Sequence, residues 1–261
     1  TWAQKELLAQ LESQIYEDGS HWEQSMMYHI EVLNSVTAML ISRKRAGAVT
    51  PKRVEEILYG MYDYVMHAAG PDHMQIAQGD SDVTDIRDVM TRGALLFEDG
   101  AFKQVGYEAP DLESIWYFGM EQESRYLELE SREPEVLQGI YPYSGNFYYR
   151  SSWKEDASYT YLHNGPLGSS HGHSELTHIC NYYQGKAFLT DSGRYSYIEG
   201  ELRNQLKSPE AHNVSVISGC PMGVPDGSWS YAYFADSLKN EYRTIEGIHY
   251  IEMPYVMQNE Q

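Results

Sequence analysis

The residues best suited to chemistry are histidines and a carboxylate in the second half of the chain. His171-Gly172-His173 sets two imidazoles two positions apart, so an extended backbone would direct both of them and Glu175 to one face. Asp191 follows an apolar segment, and His212 lies just before another. Two imidazoles and a carboxylate from neighbouring strands could bind zinc and leave a fourth coordination position open. Alternatively, these are separate polar residues at strand ends that bind no metal.

The composition limits the kind of protein that could position these residues. The 261 residues are 42% hydrophobic, 13% aromatic and 22% charged, which is typical of a folded globular protein. No segment approaches the roughly 18 consecutive apolar residues of a membrane span. The 38 acidic and 19 basic residues give a net charge of -19, which argues against nonspecific nucleic-acid binding and against heavily sulfated ligands. Two cysteines allow at most one disulfide.

The first 125 or so residues show the apolar periodicity of helices. Ser20 and Glu23 have the spacing of a capping box at the start of the first long helix. Thr50-Pro51 has the N-cap and first-turn residue types that begin another helix. Helices are therefore predicted over residues 21–42, from Pro51 to the Gly70-Pro71 pair, over residues 84–97, and after Asp111.

Beyond Tyr143 the pattern changes to short strands. Gln184-Gly185 lies between two of them as a hairpin turn, and the Glu-rich residues 128–135 are expected to form a solvated linker. Strands are predicted over residues 146–153, 158–163, 176–183, 186–190 and 213–217. The sequence thus predicts an α+β multidomain chain, with a helical domain over residues 1–137 and a sheet domain over residues 138–261.

Several motifs, in a fixed order, connect these residues to a known family. Residues 168–176 (GSSHGHSEL) contain an HxH motif, residues 183–197 (YQGKAFLTDSGRYSY) contain a D-x-G-x-Y strand end, and Ala211-His212-Asn213 forms an AHN motif. In the helical half the matching segments are residues 23–29 (EQSMMYH) and 79–82 (GDSD). Over roughly residues 15–220 the chain resembles the heparinase II/III-like polysaccharide lyases.

The resemblance implies an α/α toroid followed by an antiparallel β-sandwich, with an active cleft between them. Such a toroid needs more helices than are predicted here, so the chain is expected to hold the end of the toroid and the start of the sandwich. The family's carboxylate-neutralising Asn or His is expected to precede Thr1. Glu175 stands where the family usually has Asp or Asn, and it is expected beside the metal ligands rather than among them.

The implied activity is β-elimination at a uronic acid. A base removes the proton from the carbon that bears the carboxylate, and an acid protonates the departing glycosidic oxygen. By resemblance, Tyr28 transfers the proton and His171 is its catalytic partner. The resemblance also implies that His173, Asp191 and His212 bind one zinc ion, whose role is structural.

The candidate substrate-binding residues are Gln24, Arg194, Tyr195, Tyr197 and Arg203. Tyr195 and Tyr197 occupy alternate positions, so an extended backbone would direct them to one side, where they stack on sugars or pack a face of the sandwich. The two arginines either bind a substrate carboxylate bidentately or pair with a nearby glutamate.

The sequence therefore predicts a polysaccharide lyase for a uronate-containing glycan, an acidic polysaccharide or oligosaccharide. The resemblance implies a periplasmic or secreted protein, although the chain contains no targeting segment to indicate this. One rival is a metal-dependent glycan hydrolase, in which the same three ligands activate water. Another is a glycan-binding protein without turnover. A lyase alone yields an unsaturated uronate that absorbs ultraviolet light.

Overall fold

A computed structural model of the chain describes residues 2–257, in which a helical half is followed by a half of antiparallel strands. The helical half contains α1 Trp2–Gln14, α2 Met26–Arg45, α3 Lys52–Ala68, α4 Arg87–Phe97, α5 Gly100–Val105, α6 Leu112–Phe118 and α7 Gln122–Glu128. The second half contains β1 Gln138–Tyr141, β2 Asn146–Arg150, β3 Tyr159–His163, β4 His178–Tyr183, β5 Lys186–Leu189 and the short helix α8 Glu201–Lys207. It continues with β6 Gly223–Asp226, β7 Ser230–Phe234, β8 Asp236–Ser237, β9 Glu241–Ile245, β10 Ile248–Glu252 and β11 Tyr255–Val256.

The long helices form where apolar residues recur at helical spacing. Helix α3 buries Val54, Leu58, Met61 and Val65 along one side, as its periodicity predicts. Residues 84–97 were also expected to be helical, and α4 covers most of them. It begins later, at Arg87, whose backbone N–H donates to Asp85 Oδ1 over 2.9 Å. No described helix is both long and apolar enough to cross a membrane.

The predicted start of the first long helix is wrong. Helix α2 begins at Met26 after the extended residue Ser25, whereas Ser20 and Glu23 precede it in non-helical chain. Ser20 does not cap a helix, because its hydroxyl and its N–H both bond Asp18 Oδ1. The chain between α1 and α2 is thus a structured connection rather than an extra turn of helix.

The main sheet has five antiparallel strands in the order β1-β2-β3-β4-β5, so every neighbour is also the next strand along the chain. The predicted hairpin turn between β4 and β5 is confirmed. Gln184 and Gly185 have φ of 51° and 72°, the left-handed conformation that a tight two-residue hairpin requires at both positions.

Another expectation for the second half is wrong, and one more is confirmed. Residues 213–217 do not form a strand; the Asn213 side chain instead donates to Ile179 O of β4 and to Thr190 O just after β5. The expected linker over residues 128–135 is confirmed, since α7 ends at Glu128 and β1 begins at Gln138.

The two halves share one apolar core and a buried polar network. Tyr64 of α3 packs edge-on against Tyr148 of β2, and their hydroxyls lie 2.9 Å apart. Asn146 of β2 donates to Tyr64 Oη over 2.9 Å and to Gln24 Oε1 over 3.1 Å. Its own Oδ1 accepts from Gln78 Nε2 over 3.2 Å. Because these bonds connect the halves and are buried, they fix one relative placement of helices and sheet.

Candidate functional site

The loop between α3 and α4, residues 79–82, contacts both halves of the molecule. Gly79 has φ of +53°, and a Cβ atom there would come within 2.6 Å of His171 O and 2.8 Å of Gln24 O. The backbone N–H of Asp80 donates to His171 O over 2.9 Å. Only glycine tolerates this conformation and this close approach together. The loop therefore places the segment that carries His171 against the start of the helical half.

The same loop also fixes the start of helix α2. Ser81 Oγ accepts from the backbone N–H of Met27 over 3.1 Å and lies 3.0 Å from Ser25 Oγ. This hydroxyl satisfies one of the helix's unpaired N-terminal donors, as a capping side chain does, although it comes from 54 positions away. Tyr28 is the next residue along this helix, so the cap also sets its position.

Tyr28 and His171 lie face to face between the two halves. Their rings stack with centroids 3.6 Å apart and an interplanar angle of 18°. The Tyr28 hydroxyl is 2.7 Å from that of Tyr197, and the Tyr197 ring in turn stacks on Trp229 at 4.8 Å. Residues from three distant parts of the sequence thus form one partly open aromatic and imidazole cluster.

The His171 imidazole has a carboxylate on each side. Its Nδ1 is 3.2 Å from Asp80 Oδ2, and its Nε2 is 3.8 Å from Glu23 Oε2. The imidazole is only 16% exposed, and the Trp229 ring meets it edge-on with centroids 5.6 Å apart. One ring nitrogen is therefore held by the buried Asp80 carboxylate, while the other lies on the side of Glu23, beyond hydrogen-bond distance.

Asp80 is completely buried and receives hydrogen bonds from three side chains. His173 Nε2 is 2.8 Å from Oδ1, and the Arg203 guanidinium bonds both carboxylate oxygens. Burial alone would raise the pKa of Asp80, but the bonds from His171, His173 and Arg203 outweigh it and hold the pKa well below its usual value. Asp80 is thus an ionised carboxylate within the protein.

The predicted substrate-binding residues occupy different environments. Arg194 is partly exposed, pairs with Asp82 over 2.6 Å and lies over the Tyr197 ring at 4.5 Å. Arg203 is buried, and its two terminal nitrogens bond Asp80 and Ser228 O, whereas its Nε is buried without a partner. Gln24 is also buried, and its Nε2 lacks a hydrogen-bond partner.

Tyr195 and Tyr197 do not face one side, contrary to expectation. Tyr195 has φ of +55°, which breaks the extended backbone, and its side chain is 78% exposed. Tyr197 packs against Trp229 within the cluster instead. The alternation rule fails here because residues 190–200 form no strand.

A second group of polar side chains lies buried behind the cluster. One ligand atom from each of Glu175, His178, Asp191 and His212 lies within 4.8 Å of the others, so this group could hold a metal ion. His212 Nδ1 is 2.6 Å from Asp191 Oδ2, and His178 Nε2 is 3.6 Å from the same oxygen. Glu175, expected beside the ligands, and His178 both belong to this group.

His173, a predicted metal ligand, lies at the edge of this group. Its ring is 5.3 Å from that of His212, and its Nε2 binds Asp80. Among the buried atoms that lack a hydrogen-bond partner are His173 Nδ1, His212 Nε2 and Glu175 Oε2. Burial raises the pKa of Glu175 to about 8, while burial lowers the pKa of His173. A cation beside Glu175 would keep this carboxyl ionised.

Three of the contacting residues were not singled out from the sequence. Asp80 and Ser81 lie in the GDSD segment, whose resemblance to a cleft loop was the available signal, but the sequence does not reveal which partners they bind. Trp229 lies in a Gly-Ser-Trp-Ser segment with no distinguishing pattern, and only the fold brings it to His171.

Comparisons with known proteins show the family and the fold of the chain. A sequence model described as heparinase II/III N-terminus matches residues 1–102, and one described as heparinase II/III-like, C-terminal, matches residues 141–250. A heparin-sulfate lyase of Pedobacter heparinus is 22% identical over 84% of this chain and 32% of its own length. One of Bacteroides thetaiotaomicron is 26% identical over 81% of this chain and 32% of its own length. The chain therefore spans about a third of the length of these relatives.

Solved structures show the same arrangement of helices and sheets. The crystal structure of heparan sulfate lyase HepC from Pedobacter heparinus covers 93% of this chain with a TM-score of 0.72 and 21% identity, and 36% of that chain is matched. A heparinase III structure covers 91% of this chain with a TM-score of 0.68 and 20% identity, and 37% of that chain is matched. The first model covers Tyr28 and the second covers His171, in the expected order, and the chain belongs to the heparinase II/III-like family.

Proposed function

We propose that the protein is a polysaccharide lyase that cleaves a uronate-containing glycan by β-elimination. The observation that carries the proposal is the stacking of Tyr28 on His171 at 3.6 Å, since these residues are far apart in the sequence and come from different halves. The names of the relatives, heparin-sulfate lyases, agree with this activity. The helical half would belong to an α/α toroid and the sheet half to a β-sandwich, with the substrate between them.

The chemistry needs a base and an acid on one glycosidic unit. The base takes the proton from the carbon next to the carboxylate, a double bond forms, and the glycosidic oxygen leaves with a proton from the acid. We assign these proton transfers to the Tyr28 hydroxyl and the His171 imidazole, which are close enough to act on one sugar. Arg194, partly exposed beside Tyr197, is the guanidinium that could bind the substrate carboxylate.

We also propose one zinc ion, held by His173, Asp191 and His212, with Glu175 beside them. The fit is supported by the unpartnered buried atoms His173 Nδ1, His212 Nε2 and Glu175 Oε2. Imidazole nitrogen and carboxylate oxygen are ligands that zinc prefers. When bound, the zinc would tie together the segments that carry these residues and so stabilise the wall of the cleft.

The substrate is proposed to be a weakly sulfated glycan of the heparan sulfate type. The relatives are named for heparin or heparan sulfate, whereas this chain carries a net charge of -19. Of the cations nearest His171, Arg203 and Lys207 are buried and bond Ser228 O, which leaves Arg194 closer to solvent. A highly sulfated chain would therefore meet little compensating charge here. A periplasmic or secreted location would suit such a substrate.

The activity is tested by the absorbance of the product and by a substitution that removes the Tyr28 hydroxyl. The protein, as its gene encodes it, should release an ultraviolet-absorbing unsaturated uronate from low-sulfated heparan sulfate faster than from heparin. Tyr28→Phe should reduce kcat at least about 10²-fold, because it removes a proton-transferring group, with the melting temperature and the metal content unchanged. Tyr143→Phe, which removes an exposed hydroxyl bonded to Glu17, is the matched control and should keep full activity.

Other outcomes would refute the assignment. Cleavage without an absorbing product would favour the hydrolase, and binding without cleavage would favour the glycan-binding protein. Near-normal turnover by Tyr28→Phe would remove this residue from the mechanism.

The zinc is tested by elemental analysis of protein purified without added metal. We expect about one zinc per chain, and His173→Ala should lose most of it and melt at a lower temperature. His249→Ala, at an exposed histidine, is the control. If His178→Ala releases zinc while His173→Ala retains it, the ligands are instead the group of Glu175, His178, Asp191 and His212. A metal-free protein that is unaffected by a chelator would contradict the site altogether.

A further inference from the structure

Asp80 has more charged and polar partners than its place in a connecting loop would suggest. Its side chain is fully buried, yet it contacts His171 and His173 from the sheet half and Arg203 from α8. The two histidines lie 91 and 93 positions away along the chain. Burying an ionised carboxylate costs free energy unless its oxygens are hydrogen-bonded, and here both oxygens of Asp80 are bonded.

The chemistry of these contacts determines where the imidazole protons are. Arg203 bonds both oxygens of Asp80 and keeps it ionised, and an ionised carboxylate can only accept hydrogen bonds. Each ring nitrogen that faces Asp80 must therefore carry a proton. For His171 this is Nδ1, at 3.2 Å from Oδ2, and for His173 it is Nε2, at 2.8 Å from Oδ1.

The opposite nitrogens are then left with a lone pair when the imidazoles are neutral. His171 Nε2 is turned away from Asp80 and lies 3.8 Å from Glu23 Oε2, beyond hydrogen-bond distance, so it could exchange a proton with substrate. His173 Nδ1 is buried without a hydrogen-bond partner and lies on a ring 5.3 Å from that of His212. Each lone pair is thus on the side where the proposed function needs it.

We propose that Asp80 is a positioning residue that sets the tautomers of two histidines at once. Its Oδ2 fixes His171 with Nε2 available for proton transfer, and its Oδ1 fixes His173 with Nδ1 available to bind zinc. Arg203 is the counter-ion that holds the carboxylate between them. This inference rests on the proposed function, and it links the catalytic imidazole to the metal through one side chain.

The first test needs no substrate. In protein with 15N-labelled histidine, the nitrogen shifts should show His171 protonated at Nδ1 and His173 protonated at Nε2. In Asp80→Asn the amide presents a donor to one of these rings, so at least one tautomer should change. Zinc affinity, measured by competition with a chelator, should fall about 10–100-fold, as for loss of a group that orients a metal ligand. Asp85→Asn, in the same connection but paired with Arg87, should change neither property.

The second test is a double-mutant cycle on turnover. Asp80→Asn should lower kcat at least about 10²-fold with KM nearly unchanged, because it acts through His171. If so, Asp80→Asn combined with His171→Ala should be no slower than His171→Ala alone, whereas independent structural damage would multiply the losses. If Asp80→Asn does not fold, the double variant Asp80→Asn/Arg203→Gln, which removes both buried charges, replaces it in the same measurements.

The outcomes separate the two proposals. Unchanged tautomers and zinc affinity in Asp80→Asn, or multiplicative losses in the cycle, would overturn the role of Asp80. Absence of an unsaturated product from the unmodified protein would overturn the lyase activity, while the tautomers and zinc affinity would still decide whether Asp80 orients the histidines.

Discussion

At the scale of single residues, the site depends on buried histidines whose charge the fold controls. His29, beside Tyr28, is completely buried and its Nε2 is 3.0 Å from Met61 O. Burial, with a contribution from His21, lowers the pKa of His29 to about 3. In the unfolded chain a histidine titrates near 6.5. Between these two values only the unfolded chain takes up the proton.

This difference predicts a loss of stability in acid. As the pH falls from about 6.5 towards 3, the unfolded state binds the additional proton, so the free energy of unfolding should fall by up to about 1.4 kcal/mol per pH unit from this group. His29→Gln should reduce that slope in urea titrations at several pH values. His249→Gln, at an exposed histidine, should leave the slope unchanged. Equal slopes in His29→Gln and the unmodified protein would show that His29 does not cause the pH dependence.

At the scale of elements, the start of helix α2 determines where Tyr28 lies. Ser81 Oγ accepts from Met27 N–H over 3.1 Å, so Ser81→Ala should leave a buried donor unpaired and cost about 1–2 kcal/mol of unfolding free energy. Because Tyr28 follows directly, kcat should fall as well. Ser42→Ala, near the other end of α2, removes only a bond to Ala38 O and should cost less than about 0.5 kcal/mol. Urea titration and turnover of both variants check this, and equal costs would contradict a capping role.

Sequence patterns predicted the elements better than their ends or contacts. The periodicity of α3 and the Gln184-Gly185 turn are local features, and both expectations are confirmed. The start of α2 was wrong because its cap, Ser81, comes from another part of the chain. Residues 213–217 have the composition of a strand, but the Asn213 side chain holds them elsewhere. In the site, the residue types pointed to His171 and Asp191, whereas Asp80 is recognisable only once the fold shows its partners.

At the scale of the whole molecule, buried polar bonds hold the two halves in one arrangement. Asn146 of β2 bonds Gln24, Tyr64 and Gln78 from the helical half. Asn146→Ala would leave several of these groups unpaired, and each costs about 1–3 kcal/mol. We expect a loss of about 2–4 kcal/mol in unfolding free energy. Turnover should also fall, because Gln24 and Gln78 lie close in sequence to Tyr28 and Asp80, the proposed catalytic and positioning residues.

The matched control for this prediction is Asn181→Ala. Asn181 lies in the same sheet but bonds Thr160 on the neighbouring strand, so it joins nothing between the halves. It should cost no more than about 1 kcal/mol. Thermal melting and urea titration of both variants measure the difference, and similar losses would show that the contact between the halves contributes little.

The stacking of Tyr28 on His171 also has a consequence for the order of folding. The two residues are brought together across a long stretch of chain, and closing such a long loop costs entropy before any contact repays it. Hairpins such as β4–β5 and helices such as α3 need only near neighbours and can form early. The pair can meet only after both halves have collapsed and docked. During synthesis or refolding, the contact between Tyr28 and His171 is therefore among the last that the chain forms.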